Sequence, residues 1–201
     1  MSDVIAFKDW AAVCDAMGQG RQSLIVRKGG IAEGREGFQF KHAAFFLYPT
    51  AYHELTAKLR PGLADGLQTA PATRDDVVEI RDFFQLDWAA TVTDWPAVQA
   101  LEPFHPYREE VVRERFDYDG EPGVQVAFGR AYRFARPWSF PSETSFGGCR
   151  SWIKLPGGAS ALSSMSPALS DAQHASRAAE LETWLTGHAI RASRFSALTP
   201  P

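Results

Sequence analysis

Short apolar runs alternate with glycine- and proline-marked breaks along the first half of the chain. Residues 4–18 carry Phe7, Trp10, Ala11, Cys14 and Met17 at helical spacing, which predicts one amphipathic helix stopped by Gly18 and Gly20. Residues 23–28 hold Leu24, Ile25 and Val26 in a row and predict a buried strand. Phe38 and Phe40 alternate with Gln39 and Lys41, the pattern of a short edge strand. Residues 43–48 are nearly all apolar, too short for a helix core, and read as a central strand ended by Pro49. Thr50 then stands as the cap of a helix carrying Tyr52, His53, Leu55 and Leu59. Residues 60–75, with Pro61, Gly62, Gly66 and Pro71, read as a loop.

The second half begins with alternation again. Val78, Ile80 and Phe84 against Glu79, Arg81 and Gln85 predict a strand over 77–86, with a second short one over 90–92. Asp94 opens a short helix through Leu101, and Pro106 suits the first position of a helix over 107–116. The clearest strand is 124–134, with Val124, Val126, Phe128, Tyr132 and Phe134 on one face and Gly129 marking a bulge or a close backbone approach. Residues 136–141 read as an extended loop and 150–155 as a last strand. Ser170 and Asp171 open a helix with Ala178, Leu181, Trp184 and Leu185 on one face, ended by Gly187. The pattern predicts an α+β fold: a mixed, mostly antiparallel sheet or partial barrel, flanking helices and a C-terminal helix. Residues 1–156 read as one globular domain, 157–167 as a flexible linker, 168–187 as a docked helix and 188–201 as a loose tail.

Composition narrows the functional classes. At 201 residues, 45% hydrophobic and 22% charged, the chain has an ordinary globular balance. A net charge of −3 excludes a general polyanion binder, so a nucleic-acid surface has to be a local patch. Cys14 and Cys149 are too few for a disulfide framework or a four-cysteine zinc site, and read as buried thiols in a reducing cytoplasm. No apolar run reaches the roughly 20 residues of a membrane span, and the start lacks a signal-peptide pattern, so the expected location is cytoplasmic.

Chemistry-bearing residues gather at strand ends. Arg27 and Lys28 run from a buried strand into Gly29-Gly30, a positively charged rim on a backbone that permits close approach, which is how an anion cradle is built. Arg130, Arg133 and Arg136 with Trp138, and Arg150 with Trp152, set cations beside stackable rings, as a nucleotide or single-strand site needs. His42, His53 and His105 are the candidate acid/base groups; none forms a local metal-ligand pair, and neither metal nor cofactor is expected. Cys149 after two glycines is a candidate nucleophile without a known local signature. Glu79 and Asp82 on one strand lack the spacing of a Mg²⁺ phosphodiesterase.

The motifs Phe7-Lys8-Asp9-Trp10, Arg27-Lys28-Gly29-Gly30-Ile31, Phe45-Phe46-Leu47-Tyr48-Pro49-Thr50 with His53, Pro103-Phe104-His105, and Phe146-Gly147-Gly148-Cys149-Arg150-Ser151-Trp152 occur in this order. Together they resemble the bacterial family called domain of unknown function 1802, over about residues 4–185. The resemblance implies a domain spanning nearly the whole chain and supplies no chemistry. His105-Pro106-Tyr107 departs from the His-Ile-Trp of that family's pattern. The strand plan is also similar to that of small PUA-like barrels, a class that includes readers of modified bases and RNA.

The leading expectation is a nucleic-acid or nucleotide binding module, with Arg27, Lys28, Gly29 and Gly30 on phosphate and His53, His105 and Trp152 facing base or sugar. A phosphoester hydrolase using His42, His53 or His105, and an interaction domain of a larger assembly, are the alternatives. Whether the protein is an enzyme, and its oligomeric state, stay open at this level.

Overall fold

The computed structural model describes residues 4–28, 38–51, 55–71, 76–148, 150–156 and 164–196. Gly29, Gly30, His53 and Cys149 lie outside the described residues.

The first element departs from the pattern. Val4–Trp10 is a strand (β1), and only Ala11–Gly18 is helical (α1). β1 is hydrogen-bonded on both sides, in parallel to Ala44–Thr50 (β3) and antiparallel to Trp152–Leu155 (β6). Ala6 and Phe7, on opposite faces, are both fully buried. A strand with two buried faces has a continuous apolar run and mimics helical spacing. Phe38 and Phe40 are buried but form no strand. β3 continues through Pro49, because its pairing with the next strand stops at Leu47 and the missing N–H of proline interrupts no ladder there. Thr50, expected as a helix cap, ends β3, and its Oγ1 donates to the Asp9 carbonyl at 2.9 Å. The helix that follows is the single turn Leu55–Lys58 (α2).

Two long strands form the spine. Val77–Val92 (β4) pairs antiparallel with Val124–Pro141 (β5) over their whole length, so the predicted 77–86 and 90–92 strands are one and the predicted loop 136–141 is the far end of β5. Register shifts between Ile80 and Asp82 and between Leu86 and Trp88 interrupt the pairing. A shift of one residue turns side chains to the other face. Val124, Val126 and Phe128 therefore enter one hydrophobic cluster and Phe134 another, with Tyr132 against the second, rather than all sharing one face. Gly129 sits at the shift; a Cβ there would lie 2.1 Å from the Gln85 carbonyl oxygen, a close approach only glycine allows.

Leu24–Arg27 (β2) pairs with β5, and the main hydrogen-bonded path runs β2-β5-β4-β3-β1-β6. Met165–Pro167 (β7) joins β5, and Ser193–Arg194 (β8), in the segment read as a loose tail, joins β4. The result is an α+β fold with a mixed, mostly antiparallel sheet that does not close into a barrel. Trp95–Gln99 (α3) begins where Asp94 accepts from the Ala97 N–H. Glu109–Asp117 (α4) starts two residues later than Pro106 would place it. Asp171–Gly187 (α5) carries a complete Ser170/Gln173 capping box. Leu181, Trp184 and Leu185 of α5 are buried in the larger cluster, with Trp184 Nε1 donating to the Ala97 carbonyl at 2.9 Å. No helix among the described residues is long and apolar enough to cross a membrane.

Candidate functional site

β2 and β6 end the strand path on opposite sides, yet they meet. Arg27, the last residue of β2, donates from Nε and Nη2 to Ser151 Oγ at 3.2 and 3.0 Å, one residue before β6. Its guanidinium lies over the Phe7 ring, 5.5 Å from the centroid. The sheet is curled enough that a side chain spans the seam its backbone leaves open.

Beside that seam is a groove. His42, Ser145, Arg150, Trp152 and Lys154 line a cavity of about 550 Å³ together with Ile5 and Ile153. Trp152 and Lys154 share a face because they are two residues apart on β6. Phe38 stacks on the Trp152 ring at 5.9 Å and 12°, and His42 meets it edge-on at 5.0 Å. Trp152 Nε1 donates to the Gln39 carbonyl at 3.3 Å. Burial, with Lys41 adding to it, holds the His42 imidazole below its ordinary value of 6.5, so it is neutral at pH 7.

A polar cluster from β1 and the segment before α4 is buried. Asp9, His105 and Tyr107 are at most 5% exposed. Asp9 Oδ1 accepts from the Trp10 N–H, while among the described residues Asp9 Oδ2 and His105 Nδ1 have no hydrogen-bond partner; the Tyr107 hydroxyl faces the Arg115 guanidinium. Arg115 donates to the Val26 carbonyl at 2.7 Å and lies 4.2 Å from the Tyr107 centroid and 5.1 Å from that of Trp10. Burial alone would lower the Arg115 guanidinium, but Tyr107 and Asp9 turn the net shift upward. Burial raises the Tyr107 hydroxyl, with Asp9 adding to it. Burial, then the charges of Arg60 and Arg115, push His105 down to about 3.

The structure thus brings Arg27 and Trp152 to one rim, joined by Phe7, whose ring is 5.1 Å from that of Trp152. His105 is not there: it is buried beside Tyr107, at 5.6 Å between rings. Lys28 reaches the Glu121 carbonyl, in the turn before β5. Arg133 and Arg130 are engaged in ion pairs, with Asp15 and Asp82 for the first and Asp171 for the second. Lys154 joins the groove through the period-2 alternation with Trp152, a signal present in the sequence. The cluster of Asp9, Tyr107 and Arg115 comes from three separate segments and has no local signature. No group of three or more His, Cys, Asp or Glu residues is placed to hold a metal ion among the described residues.

A curled, open α+β sheet with a cationic, aromatic groove at its seam defines the class. The chain belongs to the family described as Domain of unknown function (DUF1802), which matches residues 6–180. No curated protein matches the chain. It is similar to the crystal structure of a mutant ASCH protein, ZmASCH, from Zymomonas mobilis, with 10% identity over 88% of this chain and 94% of that one. The TM-score is 0.47, a likeness too distant to carry an argument.

Proposed function

We propose that the protein binds a nucleotide or a short single-stranded nucleic acid in the groove beside β6. The observation that carries this reading is the set of Arg150, Trp152 and Lys154 around a cavity of about 550 Å³. That size lies within the ~300–1,000 Å³ of small-molecule sites. The indole supplies an aromatic surface for a base and the two cations supply charge for phosphate. Arg27 is a positioning residue in this reading: by holding Ser151 it fixes the backbone between Arg150 and Trp152.

Fluorescence anisotropy of a labelled single-stranded oligonucleotide at two salt concentrations tests it. Replacing Arg150 and Lys154 together by Ala is expected to weaken binding at least fivefold and to flatten the salt dependence, by about 0.7 in slope for each phosphate no longer neutralised. Trp152→Ala weakens binding with the salt slope kept. Arg27→Ala weakens it more than Lys28→Ala, since Lys28 reaches Glu121 instead. Folding of each variant is confirmed first by circular dichroism; unchanged affinity and slope in the Arg150/Lys154 variant would defeat the proposal.

A phosphoester-acting enzyme is the second reading, favoured by one observation: His42, neutral at pH 7, lines the same groove. A base in that form is suited to accept a proton. Electrophoresis of the oligonucleotide after incubation separates the two, since cleavage lost in His42→Ala supports the enzyme and an intact strand supports binding alone.

A further inference from the structure

At the other end of β2 from Arg27 lies a second cavity, about 150 Å³, between the start of the strand and α5. Its polar walls are Arg21, Ser23, Arg177 and Glu180; Leu24, Phe104 and Leu181 are among its apolar ones. Arg177 is half-buried on α5, and its hydrogen bond goes to the Ser23 hydroxyl at 2.9 Å. A guanidinium has five N–H donors in a fixed fork, so most of the Arg177 fork has no protein partner among the described residues. Burial pushes this guanidinium down, and only the charge of Glu180 opposes the shift. Glu180 is itself exposed, where water screens it. Arg21 also lines the cavity, with Nη1 on the Asp65 carbonyl at 2.7 Å.

We infer that this cavity is a phosphate-class oxyanion site, held by Arg177 and Arg21 with the Ser23 hydroxyl as a further donor. Two guanidiniums against one carboxylate leave a positive cavity, and a fork matches the oxygens of a tetrahedral oxyanion. The apolar walls strengthen the attraction by keeping water away. The space equals roughly five waters at ~30 Å³ each, room for a phosphate group and well short of the ~300 Å³ at which whole-ligand pockets begin. The inference does not depend on the groove beside β6.

Calorimetric titration of the full chain with inorganic phosphate at constant ionic strength is the test. One saturable site is expected, weakened tenfold or more in Arg177→Gln and in Arg21→Gln and unchanged in Trp152→Ala. Arg21 is exposed, so its variant decides the matter even where Arg177→Gln does not fold. Absence of saturable binding in the wild type, or binding unchanged in Arg21→Gln, overturns the inference. A 5′-phosphorylated oligonucleotide compared with its unphosphorylated twin separates the sources. A preference for the phosphorylated strand that disappears in Arg21→Gln assigns the site to a nucleic-acid end, and equal binding of the two assigns it to free phosphate.

Discussion

A methyl group on Gly18 would sit 2.0 Å from Asp82 Oδ1 and 2.3 Å from Arg133 Nη2, inside the ion pair that ties β4 to β5. Gly18→Ala therefore has to displace that pair, and is expected to destabilise by about 3 kcal/mol, the lower end for breaking a buried pair. Urea denaturation measures it. His105 gives a pH dependence of definite sign. Above its ordinary value of 6.5 the ring is neutral folded or unfolded, and stability does not depend on it. Between 6.5 and about 3 the unfolded chain takes a proton that the folded one refuses, so stability is lost as pH falls. The slope is up to about 1.4 kcal/mol per pH unit. Urea midpoints at pH 7, 6, 5 and 4 are expected to fall less steeply in His105→Gln than in the wild type. Gly129 was legible in the sequence because a glycine inside a strand pattern has few uses. The burial of His105 was not, since Arg60 and Arg115, whose charges act on it, reach it only through the tertiary fold.

Helices with caps and strands with one buried face were legible element by element. Ser170 and Asp171 announce α5, and its stripe of Leu181, Trp184 and Leu185 predicts the face that is buried. Leu181→Ala is expected to cost about 2–5 kcal/mol, as buried leucine truncations do. Ser170→Ala costs ~1 kcal/mol through the lost cap. Denaturation midpoints test both, and amide exchange in α5 is expected to quicken more in Leu181→Ala than in Ser170→Ala. β1 was not legible, because burial of both its faces, at Ala6 and Phe7, removes the alternation that marks a strand. The continuity of β4 and β5 was hidden for a related reason: register shifts break the alternation while the hydrogen bonding carries on.

At the scale of the whole molecule, the class of fold followed from the spacing of its elements, and the curling of the sheet did not. Nothing in residues 27 or 151 states that the two are neighbours; that depends on the summed twist of every strand between them. The groove was therefore only partly legible: Trp152 stands out by residue type and Lys154 by its two-residue spacing from it, while the place of His42 beside them does not. If Arg27 holds the seam, Ser151→Ala is expected to speed amide exchange in β2 and β6 severalfold while the paired centres of β4 and β5 keep their protection, which exchange mass spectrometry resolves. The partnership of Phe7 with Trp152 has a consequence in time as well as in space. On the ribosome β1 emerges early and β6 late, on the order of ten seconds apart at ordinary elongation rates. Throughout that interval the open edge of β1 is a template in search of a strand, and a nascent neighbour on the same message is the nearest one on offer.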